Sequence, residues 1–306
     1  MNFIIVMMHL VCKIYVLTLT VVMIGVLTGN LRLRYTKYEA CIEGKYYSRR
    51  HIISGKITDQ LAIDRKNNIL YLQFNDNWNI GIFLHNRTQW LVNRISTSGM
   101  VVDQHHSILY MGTKERCRQY LYYFLRNTTS IKDCDDHFWG HPTQDKMMFN
   151  CRRVFYVDKS KPGIFSHYEY NDYRGKVYVI GRLAHLTSYV FEDVAFVCVE
   201  GVYNIVFVTN STVYHFKNYA PKKPIEIARN KYVLSSYTGN AFLAHPTHKI
   251  IFKYNPINLT KTLYATYKSA LLKDFVFDIN NNIVFHDASG SVAQWVPVPG
   301  NTSCLL

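Results

Sequence analysis

Three stretches of the chain share one order of apolar and polar positions. Leu61-Ala-Ile-Asp64 is followed by four turn-forming residues and then by Ile69-Leu-Tyr71. Met100-Val-Val-Asp103 to Ile108-Leu-Tyr110 repeats this position by position, and so does Phe275-Val-Phe-Asp278 to Ile283-Val-Phe285. Alternation before the Asp gives a strand with one face in packing. Asp and Asn side chains bond their own backbone and tolerate left-handed conformations, so the middle reads as a hairpin turn. The closing apolar run is a second, buried strand. Asp64, Asp103 and Asp278 are therefore expected as turn formers.

Degenerate copies extend the series. Val197-Cys-Val-Glu200 to Phe207 and Phe242-Leu-Ala-His245 to Phe252 keep the frame, and Met147-Met-Phe-Asn150 to Tyr156 fits with a turn one residue shorter. Starts at 61, 100, 147, 197, 242 and 275 give spacings of 39, 47, 50, 45 and 33. Repeats of this length, made of a few strands with no helical period between them, predict an all-β chain folded as a six-bladed β-propeller. Ile80-Gly-Ile-Phe-Leu84 and Thr212-Val-Tyr-His-Phe216 read as third strands. No blade buries its faces alone, so the ring must close. Residues 41–47 and 291–296 flank the repeats, and the N- and C-terminal strands are expected in one blade, with Cys41 and Cys304 tying the ends.

The first thirty residues stand outside this scheme. Ile14 to Leu27 carries no charge, follows Lys13 and ends at Thr28-Gly29-Asn30, the layout of a secretory signal peptide. Residues 1–29 are assigned to that leader and residues 30–306 to the propeller. The competing reading is an uncleaved membrane anchor from Phe3 to Leu27. Of seven Cys, Cys12 lies in the leader; Cys41, Cys117, Cys134, Cys151, Cys198 and Cys304 remain, an even number that suits disulfides in a secreted, extracellular protein. Six cysteines allow fifteen connectivities. Asn86, Asn127, Asn210, Asn258 and Asn301 head glycosylation sequons, which expects a glycoprotein. Cys134-x2-His137-x3-His141 has scattered metal-ligand residues, but zinc sites use tighter paired spacings, and no metal site is expected.

The C-terminal stretch Phe275-Val-Phe-Asp-Ile-Asn-Asn-Asn-Ile-Val-Phe-His-Asp-Ala-Ser, ending shortly before Cys304, resembles the last blade of insect ommochrome-binding proteins. Those are haemolymph carriers of tryptophan-derived pigments in moths and butterflies. Gln60 to Tyr71 and the positions of Cys41 and Cys304 are similar too. The resemblance covers residues 57–76, 96–112 and 274–304. Its general form is shared with other six-bladed propellers, among them the regucalcin–gluconolactonase group and the Tyr-Trp-Thr-Asp receptor propellers. Phe285-His-Asp287 and Tyr156-Val-Asp158 occupy the place of that last motif without its Trp. Cys117, Cys134, Cys151 and the insert 112–146 have no counterpart. The resemblance implies a secreted, monomeric carrier of a small aromatic ligand such as an ommochrome pigment.

Composition narrows the chemistry. The chain is strongly basic, 35 Lys plus Arg against 21 Asp plus Glu, and aromatic at 15%. Removing Lys13 with the leader leaves 14 − 1 = +13, which favours anionic partners. The basic pairs Arg49-Arg50 and Lys222-Lys223 read as solvated surface, and neither nucleic acid nor, for the mature form, membrane is an expected partner. Trp78, Trp90, Trp139 and Trp295 are candidates to stack a planar chromophore, with core packing as the competing reading. No nucleophile elbow, zincin motif, phosphate loop or dinucleotide fingerprint occurs. His286, Asp287 and Ser289 are adjacent on one strand, where a triad does not converge. No catalytic residue and no cofactor is expected.

Propeller ligands sit at a mouth of the central channel. The loops leading into the inner strands supply Asp59, Asp145, Asp193, Asn240 and Asp274, which are the candidate ligand-binding residues. Their acidity fits a cation or an amine, with Lys146 and Lys273 nearby for a carboxylate. A lactonase-like hydrolase would use such oxygens to hold Ca²⁺; it is the alternative on the same fold, and a protein–protein module is a third.

Overall fold

Strands form where the apolar alternation places them. β1 (Ala40–Ile42) and β2 (Lys45–Ile53) make a first hairpin. A four-stranded meander follows: β3 (Ala62–Asp64), β4 (Ile69–Gln73), β5 (Ile80–Leu84) and β6 (Arg87–Val92). The next contains β7 (Thr97–Asp103), β8 (Ile108–Thr113), β9 (Arg118–Tyr123) and β10 (Thr128–Asp133). The third has β11 (Lys146–Asn150), β12 (Arg153–Val157), β13 (Ile164–Tyr168) and β14 (Tyr178–Arg182). The fourth has β15 (Asp193–Val199), β16 (Val202–Thr209), β17 (Thr212–Lys217) and β18 (Ile225–Arg229). The last sheet has nine strands and joins β19 (Val233–Tyr237), β20 (Asn240–His245), β21 (Ile250–Asn255) and β22 (Thr260–Tyr267) to β1, β2, β25 (Val292–Pro297), β24 (Ile283–Asp287) and β23 (Leu272–Phe277), in that order. All described pairings are antiparallel neighbours in the sheets, and β5 and β17 are the expected third strands.

This computed structural model describes residues 38–54, 57, 60–74, 80–84, 87–92, 97–113, 118–133, 146–150, 153–159, 161–168, 178–183, 186–217, 223–268, 271–300 and 303–305. The leader, Asp59, Asp145, Asn86, Asn301, Cys117, Cys134, Cys151, His137, His141, Lys222, Trp78 and Trp139 lie outside them. Asn127, Asn210 and Asn258 are exposed at turns.

The sheets stand face to face, and each interface has its own apolar cluster. Tyr71 meets Met100 and Tyr122 between the first and second sheets, and Tyr110 meets Met147 and Tyr156 between the second and third. Phe155 stacks on Phe196 at 4.3 Å between the third and fourth. Val206, Leu234 and Tyr254 pack the fourth against β19–β22. Phe242, Phe277, Phe285 and Trp295 fill the space from there to β23–β25, so Trp295 is core. Leu61 and Leu70 then meet Val284 and Val292, which brings the last sheet back against the first. The innermost strands stand side by side in the cycle β3, β7, β11, β15, β19, β23 and back to β3. Burying bulky aromatics between sheets contributes about 1.5–3 kcal/mol each, so no sheet is stable without both neighbours.

The turn chemistry is as read, with one displacement. Asp64 accepts from the backbone N–H of Asn67 at 3.1 Å, Asp103 from His105 at 2.8 Å, and Asp278 from Asn280 and Asn282 at 2.8 Å each. Asn68, Ser107 and Asn281 take the left-handed conformation that these turns require. His245 replaces the Asp in the fifth copy: its Nδ1 lies 3.2 Å from the His248 N–H, and Lys249 is left-handed. That copy nevertheless joins β20 to β21, not the innermost pair. The innermost hairpin there is β19–β20, turned by Thr238 and Gly239, both at positive φ, in the two-residue form that favours glycine. An Asx-type turn is a local device and does not specify which hairpin of a sheet it closes.

The ends of the chain meet as expected. β2 pairs with β25 from Tyr47↔Pro297 to Ile53↔Val292, and β1 bridges to β22. Arg50 is exposed, as the sequence reading expects, but Arg49 is half-buried, contrary to it. Arg49 binds the Asp287 carboxylate at 2.7 Å, and Arg50 donates to the Gln294 side chain, because β2 places both on the closing sheet. Asp287 also accepts from Ser289 and Ser291, so the His286-Asp287-Ser289 trio is a turn and an ion pair. Although burial works against it, hydrogen bonds from Ser289 and Arg49 hold the Asp287 carboxyl below its ordinary range. Cys41 and Cys304 form a disulfide across a sequence separation of 263. Closing so long a loop restricts the unfolded chain, so the double variant Cys41→Ser, Cys304→Ser should lose about 3–5 kcal/mol in guanidinium unfolding. An unchanged midpoint would mean that the β2–β25 pairing alone closes the ring.

Candidate functional site

The innermost strands are edge strands, so the N–H and C=O groups of their inner sides have no ladder partner. Buried groups of this kind need side-chain or water partners. At the end of the channel where these strands begin, three side chains supply them. The Gln60 carbonyl oxygen accepts from the N–H of Met100 at 3.2 Å and of Met147 at 3.0 Å, while its amide donates to the Met147 carbonyl at 2.8 Å. Asp193 accepts from Val194 at 2.8 Å and from Leu234 at 2.6 Å. Asp274 accepts from Leu61 at 2.7 Å. These bonds tie β3 to β7 and β11, β15 to β19, and β23 to the start of β3.

Two buried carboxylates require a counter-charge, and the chain provides it. The Lys146 ammonium lies 2.6 Å from Asp193 and 3.5 Å from Asp274, and it donates to the Leu234 carbonyl at 3.2 Å. Side-chain exposures of 13% for Lys146, 14% for Asp193 and 6% for Asp274 show how little water reaches the group. Burial lowers the Lys146 pKa, but the two carboxylates outweigh it and hold the ammonium charged. One ammonium serves two acids, and Asp274 has the longer contact. Burial pushes the Asp274 carboxyl up to about 6, against the pull of Lys146 and the Leu61 N–H, with the Asp193 charge adding to the rise.

Two of the five sequence-derived site residues therefore meet, Asp193 and Asp274, around a lysine that the pattern had placed only nearby. Asn240 does not join them. It begins β20 beside the Thr238–Gly239 turn, at the opposite end of the channel, because the fifth repeat is displaced by one strand. Asp59 and Asp145 fall outside the described residues. The positions that do face the plug come immediately before the first packed residue of β3, β11, β15 and β23: Gln60, Lys146, Asp193 and Asp274. Two of these are not acidic: Gln60 is not among the sequence candidates, and Lys146 is expected only as a neighbour for a ligand's carboxylate. Lys273 is exposed on the other face of β23, as the two-residue period of a strand demands.

Ca²⁺ at this end would need several oxygens with free lone pairs. Here the carboxylates accept backbone N–H bonds and share an ammonium placed where a cation would sit, so the donor set does not fit. The described residues contain no cluster of three His, Cys, Asp or Glu suited to a metal.

Between this plug and the hairpin turns lies a cavity of about 310 Å³, lined by all the innermost strands. Its turn end carries Arg65, Gln104, Tyr237, Thr238 and Asn240, with Phe277 behind Tyr237. The Arg65 guanidinium sits 4.3 Å above the Tyr237 ring, which stacks on Phe277 at 4.6 Å and 15°. Gln104 accepts from the Arg65 N–H at 2.9 Å and also donates to the Ile63 carbonyl, which holds the first two turns together. Cys198, also in the wall, is disulfide-bonded.

Two outcomes test the plug. Lys146→Met leaves two buried carboxylates without a counter-ion, so unfolding by urea near neutral pH should show a loss of about 3–5 kcal/mol, shrinking in acid as the carboxyls protonate. A loss below about 1 kcal/mol would remove the plug from the stability argument. Asp274 has a folded pKa above its unfolded value of 3.8, so its favourable contribution is whole below that value and disappears as pH rises through about 6. Asp274→Asn should flatten that part of the stability profile between about pH 4 and 7. An identical slope in the variant would place the titration on another group.

No protein-family model matches the chain, and no curated protein matches it. Solved structures do. A gluconolactonase from Xanthomonas campestris superposes with a TM-score of 0.63 at 9% identity, covering 85% of this chain and 95% of that one. A second gluconolactonase-family structure gives 0.60 at 7% identity, over 82% and 92%. A WD40 β-propeller domain gives 0.56 at 8% identity, over 86% and 97%. Identities this low speak for architecture alone, and together with the cyclic order of the sheets they make the chain a β-propeller.

Proposed function

We propose that this chain is an exported six-bladed propeller that carries a small aromatic ligand of the ommochrome type and has no catalytic centre. The blade count is supported by the cycle of innermost strands, with β23, β24, β25 and β2 as the closing blade. Export is supported by the Cys41–Cys304 disulfide, by the bonded Cys198 and by the exposed sequon residues.

One observation carries the binding reading: the channel is blind. Among the described residues its strand-start end is filled by hydrogen-bonded, ion-paired side chains, and its turn end carries the half-buried Arg65 and Tyr237. A cavity of about 310 Å³ is at the small end of the range for ligand pockets. The two gluconolactonase structures lend the alternative, a Ca²⁺-dependent lactonase, a common fold. The Lys146 contacts speak against it, since a fixed ammonium occupies the space between the carboxylates.

The full chain, expressed with its leader and purified from the medium, should bring down visible colour or take up added ommochrome with a shifted absorption band. Removing calcium with a chelator should leave that band unchanged. A colourless protein that ignores the pigment and hydrolyses an aldonolactone only with Ca²⁺ would replace the carrier with the enzyme.

A further inference from the structure

The carboxylates nearest the open mouth are used within their own turns. Asp64 is held by the Asn67 backbone and side chain, Asp103 by His105 and His106, and Asp278 by Asn280, Asn282 and Gln294. Arg65 projects among them but pairs with none. Its Nε donates to the Asp278 carbonyl at 3.1 Å, and one terminal nitrogen donates to the Tyr237 hydroxyl at 2.6 Å and to Asn281 at 3.4 Å. The other terminal nitrogen, with two N–H groups, has no partner among the described residues. Arginine does not deprotonate at physiological pH, so a full positive charge stands at the mouth with no ion-paired carboxylate among the described residues. The three bonds that it makes fix its plane, which lowers the ordering cost of a second bidentate contact.

The surroundings specify more than charge. Tyr237 and Phe277 form two stacked layers beneath the guanidinium. Asn240 gives its amide to the Thr238 carbonyl at 2.9 Å, which leaves its side-chain oxygen as an acceptor at the same rim. Deeper in, Val101, Phe149 and Val276 line the cavity. Arg65 on one face and Phe277 on the other leave Tyr237 to orient the guanidinium, so the features offered to a ligand are a cation, a neutral acceptor and an apolar shaft, which suit an acid with an apolar ring system.

We propose that Arg65 is the anion anchor of this cavity, taking the carboxylate of a flat aromatic ligand whose ring system enters the channel from the turn end. The proposal rests on the small-ligand reading above and assigns the end, the residue and the ligand charge. It moves recognition from the plugged end, where Asp193 and Asp274 are occupied by Lys146, to the turn end.

Two probes with the same aromatic skeleton test it: 1-anilinonaphthalene-8-sulfonate, which is anionic, and N-phenyl-1-naphthylamine, which is neutral. Fluorescence titration of the full chain should show tighter binding of the sulfonate. Arg65→Met should weaken the sulfonate about tenfold or more and leave the neutral probe within about twofold. Arg65→Lys, which keeps the charge but loses the fork, should fall between. Lys217→Met, which removes an exposed charge on β17, should change neither. Thermal unfolding of each variant separates binding from the cross-turn bonds that Arg65 also makes. Equal weakening of both probes in Arg65→Met would reduce the residue to a structural latch. Unchanged sulfonate affinity, or an equal loss in Lys217→Met, would overturn the anchor. A wild-type chain that binds neither probe would overturn the small-ligand reading itself.

Discussion

A ring of sheets has an unavoidable cost at its axis. Each innermost strand turns an edge toward the channel, and the N–H groups along that edge have no neighbouring strand to bond. Leaving one buried and unsatisfied costs about 1–3 kcal/mol, so acceptors must reach in from side chains. Asp is suited to this because its carboxylate only accepts, and Asp193 and Asp274 each bond strand N–H groups, reaching Leu234 and Leu61 on neighbouring sheets. Two carboxylates in one dry place then call for a cation. Lys146, from the start of β11, supplies it and bonds the Leu234 carbonyl as well. With Gln60 completing the set, four side chains connect all the innermost strands.

This solution gives the channel a polarity. Among the described residues one end is filled by groups that satisfy one another, and the other ends in the half-buried turn residues Arg65 and Tyr237. The sheets around it are held by aromatic clusters and by the antiparallel pairing of β2 with β25, so the axis is positioned by packing at every interface. A metal-dependent site would require the opposite arrangement, with oxygen lone pairs directed into an open space. The same residue types thus support either a structural plug or a cation site, and one lysine distinguishes the two.

Much of this was legible in the sequence because hairpin turns are local. Asp followed by Asn-rich residues marked β3–β4, β7–β8 and β23–β24, since the Asp carboxylate needs only its own turn to act. The degenerate copies also found true hairpins, but the His245 turn fell between the second and third strands of its sheet. That displacement carried Asn240 to the other end of the channel. A strand position is fixed by neighbours far away in sequence, and a turn signal contains no information about them. The plug roles of Lys146, expected only near a ligand's carboxylate, and of Gln60 were missed for a different reason. Their role depends on carboxylates and amides contributed by other sheets, and nothing in their own surroundings distinguishes them from surface residues. Arg49 misled in the same way, because its partner Asp287 lies more than two hundred residues away.

The turns also show where specificity has room to vary. In Asp64-Arg65, Asp103-Gln104 and Asp278-Ile279, the Asp holds the backbone by itself, and the next residue is free of that duty. Those next residues differ widely: a guanidinium that crosses to Tyr237, an amide that binds the adjacent turn, and an exposed isoleucine. A position that the turn does not constrain can change its side chain without changing the fold. Such positions surround the turn end of the channel, so under the proposed reading ligand preference could shift there while the plug and the interfaces stay as they are. Arg65 is the charged member of that set, and under the proposed reading its fixed plane beside Tyr237 would make the turn end, rather than the plugged end, the part of this propeller where a ligand is selected.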